Sequence, residues 1–310
     1  MRELKLESSK SFHIPSYVWY ALAGIGISLI LGLSGLNNLL LYKLAFFGYA
    51  ISFFVYFAYV IIRNNLFSKL STLSLSASVM LNLSAMIARM LDSYKVGLFH
   101  PPWTDLFEAL TFWSFIVGVV YLYIEQKYGY KLVGSVVSLF ISGIYLFAML
   151  KADPNIEPLM PSLRSYWLYI HVLTAFLGYA GFTVAFAAAV FYLIKYYAPN
   201  HIKAKMPSED VLDEIAYKSV AIVFPIWTAS IILGAAWADE AWGGYWSWDP
   251  KEVWALIVLL FFGAYLHARY MMGWKGPKVA WMVVIGFIAI LICFFAINLY
   301  FPGLHSYAKS

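Results

Sequence analysis

Val279-Ala-Trp-Met-Val-Val-Ile-Gly-Phe-Ile-Ala-Ile-Leu-Ile-Cys-Phe-Phe-Ala-Ile-Asn-Leu-Tyr300 contains no charged side chain. A hydrocarbon core of ~30 Å is crossed by about 20 apolar residues in a helix, so this run is long enough to span a bilayer. Runs of the same kind, separated by charged or Pro/Gly/Asn-rich breaks, recur upstream. They predict nine helices, near 17–36, 40–62, 73–91, 107–126, 131–150, 166–197, 217–237, 252–274 and 279–300. The whole composition agrees: 63% of the 310 residues are hydrophobic and 12% charged, against roughly 45–50% and 25% in soluble domains. The expected fold is all-α, a single polytopic membrane domain over 1–310, with no room for a large soluble domain.

The net charge of +5 and pI of 9.0 would suggest nucleic acid in a soluble protein. Here the basic residues orient the spans, and the expected surroundings are membrane lipid with no nucleic acid. With the N-terminus inside, 14 of the 21 Lys and Arg fall on the cytoplasmic side, so the positive-inside rule favours N-in and C-out. The segment Met1 to Tyr17 mixes Lys and Glu and has no convincing small-residue cleavage site, so the first span is read as retained. Cys293, the one cysteine, excludes a disulfide framework, a CxxC pair or a zinc knuckle formed by this chain alone. The connector 198–216, with Glu209, Asp210, Asp213 and Glu214, is expected to be a solvated inner loop carrying a short surface helix.

An outer loop, 238–251, lies within the run Trp237-Ala-Asp-Glu-Ala-Trp242-Gly-Gly-Tyr245-Trp246-Ser-Trp248-Asp249-Pro-Lys-Glu-Val-Trp254, which holds five of the twelve Trp. An interfacial belt accounts for one or two Trp at a helix end. Trp242, Tyr245, Trp246 and Trp248 within seven positions instead suggest a platform for a flat ligand. Asp249 before Pro250, with Glu252 three residues on, reads as an N-cap and capping box opening the eighth helix, so Asp249 has a sufficient structural explanation.

His13, His100 and His201 fall at ends or in loops, where a solvated or hydrogen-bonded role is the default. His171 stands near the outer start of the sixth helix, and His305 follows Phe301-Pro-Gly-Leu304 beyond the ninth. His267 lies 15 residues past Glu252, about 22 Å along the eighth helix, and an ionisable side chain at that depth is a functional candidate. Singly, each is explained as a hydrogen-bonded core residue. Together, His171 and His305 bracketing the Trp loop suggest a planar, metal-centred ligand with two axial imidazoles, and haem fits. Zinc is disfavoured, because no third and fourth ligand is evident nearby.

The run Trp242 to Glu252 resembles the tryptophan-rich WWD signature of the haem-handling superfamily. The segments Trp167-Leu-Tyr-Ile-His171, Tyr265-Leu-His267-Ala-Arg269 and Gly303-Leu-His305-Ser-Tyr307 resemble those of the CcsA (ResC) family of System II cytochrome c synthases. So does His100-Pro-Pro-Trp103-Thr-Asp-Leu-Phe107-Glu108, with Phe107 where Tyr is usual. The likeness extends from about 95 to the C-terminus.

The resemblance implies a haem lyase subunit of cytochrome c biogenesis, in a bacterial cytoplasmic membrane or a thylakoid. It implies haem b carried across the membrane and presented at the outer face for thioether attachment to a CxxCH apocytochrome c. His171 and His305 match the family's outer iron ligands, and His267 matches its intramembrane one. The second intramembrane ligand would come from a CcsB/ResB partner. Trp242, Tyr245, Trp246, Trp248 and Asp249 would complete the cofactor-binding set, with no catalytic nucleophile. The alternatives are a haem exporter without synthase activity and a haem-b respiratory subunit. The latter would need stacked His pairs within helices.

Overall fold

The computed structural model describes residues 16–98, 100–198, 206–301 and 303–304. Among them are nine helices and no strand: α1 Ser16–Leu33, α2 Asn38–Ile62, α3 Asn65–Lys95, α4 Leu106–Tyr128, α5 Val133–Lys151, α6 Tyr166–Tyr197, α7 Glu209–Trp242, α8 Pro250–Tyr270 and α9 Pro277–Tyr300. Eight of the nine, all but α1, are long and apolar enough to cross a membrane. The chain is a multi-pass membrane protein.

Two helices begin earlier than the sequence suggests. The expected 73–91 helix is α3, which starts at Asn65. Its polar opening turns form a helix because Ser71, Ser74 and Ser78 each donate a hydroxyl to the carbonyl of the preceding turn, which hides their polarity from an apolar surrounding. The 217–237 helix becomes α7, Glu209–Trp242. The acidic cluster expected in a loop with its own surface helix is instead the opening of α7, capped by Ser208, where carboxylates favour the positive end of the helix dipole. Asp213 then takes both Nη atoms of Arg269, at 3.0 and 2.6 Å, pinning the start of α7 to the end of α8. That end comes at Tyr270 rather than near 274, and Gly273, with φ +64, turns the chain.

Successive helices are antiparallel, so the ends of α1, α3, α5, α7 and α9 gather at one end of the bundle. The opposite end is closed by a polar clamp. Glu125 of α4 accepts from Tyr56 of α2 at 2.5 Å and from Thr72 of α3, while Lys131 reaches Ser68 O and Thr72 Oγ1.

The most enclosed helix is α6, packed mainly on α7. Gly181 makes that approach possible, since a Cβ there would meet Val223 Cγ1 at 2.1 Å. Close backbone approach through small residues is how helices associate where lipid removes the hydrophobic drive. On α2, Leu40, Leu44, Phe47, Ile51 and Phe54 form an exposed stripe at helical spacing, the kind of surface that lipid covers. Near its end, α9 loosens into a single π turn, Ile292–Ala296.

Candidate functional site

The site lies where α6, α7, α8 and α9 meet at the gathered end. His171, one and a half turns into α6, donates from Nδ1 to the carbonyl of Ser230 on α7 at 2.7 Å. A carbonyl only accepts, so this bond places a proton on Nδ1, and in the neutral imidazole Nε2 is then the lone-pair nitrogen. The imidazole stacks on Trp237, with centroids 6.0 Å apart and planes at 16°. Trp237 is anchored by its indole N–H to Ser162 O at 2.8 Å and packs edge-on against Trp242.

Gly234 lets the imidazole lie against α7: a Cβ there would sit 2.8 Å from His171 Cε1 and 2.9 Å from Nδ1. Gly234→Val is therefore expected to push the ring off Ser230. It should weaken whatever binds Nε2 by about 10–100-fold, the usual cost of losing a ligand-orienting partner, with little change in thermal stability. Ligand titration beside a melting curve checks this.

Two cavities flank His171 and share it with Ala175, Tyr179 and Lys251. The larger, a chamber of about 570 Å³, is bounded by Trp103, Trp237, Trp242, Phe294 and Leu304, among others. The smaller, about 80 Å³, is walled by Trp227, Tyr245 and Trp246. The two cavities thus divide the Trp loop between them. Trp248 lines neither: it is 71% exposed, and its ring meets Trp246 edge-on.

The loop itself is shorter than the expected 238–251, because α7 continues to Trp242 and stops at Gly243, φ +77. Trp248 has φ +59, a left-handed conformation costly for a bulky residue. Bonds on either side hold it there. The Glu252 carboxylate accepts from Ser247 N at 2.9 Å and from Asp249 N at 3.2 Å, completing the capping box. Asp249 does more than cap α8. Its Oδ2 also accepts from Leu304 N at 2.7 Å, tying the helix start to the end of the described chain. His305 itself lies outside the described residues, as do His13 and His201.

His267 occupies a different place. It is exposed in the last turn of α8, on a groove of about 650 Å³ lined almost wholly by apolar and small residues, including Phe224, Leu260, Gly263, Ala264 and Met282. The groove shares no lining residue with either cavity beside His171. The structure therefore separates His267 from His171 instead of bringing them together.

Behind the chamber wall lies a buried ionic network. Arg89 of α3 is 1% exposed. It contacts Glu108 Oε1 at 2.5 Å, Asp105 Oδ2 at 3.0 Å and the carbonyls of Pro154 and Asn155. Glu108 also accepts from Thr104 N and Oγ1, and His100 is buried beside them, bonded to Thr104 rather than solvated. Burial and the Glu108 charge raise the Asp105 carboxyl above the usual carboxylate range, against the pull of Arg89. Thr104, Asp105 and Glu157 all line the chamber, so the network fixes one of its walls.

Residues 103–305 match the model of the family described as "Cytochrome C assembly protein". The chain belongs to this family, among its CcsA-type cytochrome c biogenesis proteins. It is 36% identical over 231 residues to the "Cytochrome c biogenesis protein CcsA" of Guillardia theta, covering 66% of this chain and 76% of that protein. The protein so named from Gloeothece citriformis is 33% identical, covering 71% and 83%, and that of Cyanophora paradoxa 30% identical, covering 87% and 97%. Among solved structures, "Cytochrome c Heme Lyase CcmF" superposes with a TM-score of 0.66 at 20% identity, over 84% of this chain and 46% of that one. That likeness establishes the fold alone. As a family member, the chain takes part in cytochrome c maturation.

Sequence reasoning passed over three residues of this assembly. Arg89 carried a usable signal, a cation inside an apolar span. Lys251 stands in the Trp-rich run, where the sequence marks it only as a cation. Gly234 has no sequence mark that separates it from any other small residue of an apolar helix.

Proposed function

We propose that this protein receives haem b at the His267 groove, transfers it to the chamber beside His171, and presents it there to a CxxCH apocytochrome c. The observation that carries this reading is the His171 geometry: an imidazole whose Nδ1 bonds a backbone carbonyl and whose ring lines an aromatic-walled cavity. Metal-ligating histidines characteristically donate their other nitrogen to a carboxylate or carbonyl in this way. The chamber volume lies within the ~300–1,000 Å³ range of ligand cavities, and flat aromatic walls suit a porphyrin face. The residues fit the group.

His305, the residue after Leu304 in the sequence, would supply the second outer axial ligand. Haem contributes the reactive vinyl carbons and the apocytochrome contributes the thiols, which add across them to form thioethers. The protein supplies no nucleophile. Its residues center the iron, exclude water from the macrocycle and hold one edge open, a contribution of positioning. On this reading the 243–249 loop faces the outer side, periplasmic or lumenal, with the N-terminus inside. A CcsB/ResB-type subunit carrying an intramembrane His would face His267 across the groove, since a single imidazole leaves the iron half-ligated.

The test is formation of covalent holocytochrome in cells carrying this chain, a ResB-type partner and a CxxCH client. His267→Ala should lower both holocytochrome yield and haem at the outer site by at least about tenfold, because supply precedes presentation. Normal outer occupancy in that variant would remove the relay.

A further inference from the structure

Lys251 is the second residue of α8, and its side chain turns inward rather than to solvent. Its Nζ donates to Cys293 O at 2.9 Å and to Asn298 Oδ1 at 3.1 Å, both on buried residues of α9, and lies 5.3 Å from the Phe294 ring centroid. Cys293 belongs to the π turn of α9, a local widening often found at functional sites. An ammonium has three N–H donors, and the two acceptors named are both uncharged. Among the described residues no carboxylate comes within ion-pair distance of Nζ. Of the two nearest in sequence, Glu252 is engaged with Ser247 and the Asp249 amide, and Asp249 with the Lys251 and Leu304 amides. An enclosed cation whose direct acceptors are all uncharged is poorly compensated, and an anion joining it relieves that cost.

Its position indicates what that is. Lys251 lines both cavities that flank His171, and it is the only Lys or Arg among the described residues lining either. Glu157 lines the chamber and Glu252 the smaller cavity, and such carboxylates repel an anion. We infer that Lys251 is a carboxylate-binding residue that orients the ligand of the His171 chamber, drawing the acidic edge of a tetrapyrrole toward α8 and α9. This rests on the haem reading above and deepens it. In haem b the two propionates and the two vinyls occupy different parts of the ring periphery. A cation that fixes the propionates therefore also fixes which edge is offered to the thiols, and Lys251 acts as a specificity-determining residue.

The experiment titrates the purified protein, with its membrane partner, with iron protoporphyrin IX and separately with its dimethyl ester. Binding is read from the Soret band, and the spectrum reports imidazole ligation. The wild-type protein is expected to bind the free acid at least tenfold more tightly than the diester. Lys251→Met should bind both alike, at the diester level and with the imidazole-ligated spectrum kept, and Lys251→Arg should restore part of the preference. Equal wild-type affinity for acid and diester overturns the inference while leaving the haem reading intact. So does an undiminished preference in Lys251→Met. Failure of wild-type protein to bind either porphyrin with an imidazole spectrum removes the haem reading, and the inference with it. If Lys251→Met does not fold, the wild-type comparison and the Lys251→Arg variant still decide.

Discussion

His171→Ala is expected to lower haem content at the chamber on the order of a hundredfold or more, and to reduce holocytochrome formation to background. Loss of a residue that merely orients a ligand costs about 10–100-fold, and removing the ligand itself costs at least as much. The structural consequence should be small. His171 is only partly buried, its Nδ1 bonds Ser230 O on α7, and the α6–α7 packing around Gly181 and Trp227 does not depend on it. Melting temperature and helix content should therefore stay near wild type. The truncated side chain also leaves room for exogenous imidazole, which should restore part of the occupancy. A variant with normal haem content would place the ligand elsewhere.

Arg89→Leu should have the largest effect on stability, about 3–5 kcal/mol. Removing one partner from a buried ion pair strands the other charge in a medium that solvates it poorly. Here the fully buried Glu108 carboxylate is stranded, Asp105 loses its partner, and the carbonyls of Pro154 and Asn155 lose their donor. In detergent this should appear as a melting temperature lower by roughly 5–10 °C. The chamber wall formed by Thr104, Asp105 and Glu157 should loosen at the same time, so haem affinity should fall although Arg89 does not line the chamber. Lys95→Ala is the control: its pair with Asp92 is 65% exposed on the lysine side and is worth at most about 1 kcal/mol. Equal effects of the two changes would mean that the Arg89 network is not the buried anchor described.

The fold was legible because a bilayer imposes one requirement on every span, a run of apolar residues of about the same length. The nine apolar runs accordingly correspond one for one to α1–α9. What composition could not foresee was where helices begin in polar sequence. The serines of α3 conceal their hydroxyls within the helix, and the acidic residues of α7 serve its dipole. Both effects depend on the helix already being there.

Part of the site was legible for a similar reason. The Asp249 capping box is a local pattern, and it appears as read. The partition of Tyr245 and Trp246 from Trp242, the outward turn of Trp248 and the inward turn of Lys251 are not local. They follow from α7 running on to Trp242 and from the π turn of α9, which brings the Cys293 carbonyl to meet a lysine 42 residues away. The Ser230 carbonyl that fixes the His171 tautomer is likewise 59 residues distant, and a backbone acceptor leaves no mark in a sequence.

The central claim is that Nε2 of His171 binds the iron of haem held in the chamber. Electron paramagnetic resonance of the purified, oxidised protein with its partner tests it most directly, comparing wild type, His171→Gly, and His171→Gly with imidazole. The account predicts a low-spin, bis-imidazole ferric signal from the outer haem in the wild type, its loss in the variant and its return with imidazole. A wild-type signal that persists unchanged in His171→Gly would contradict it.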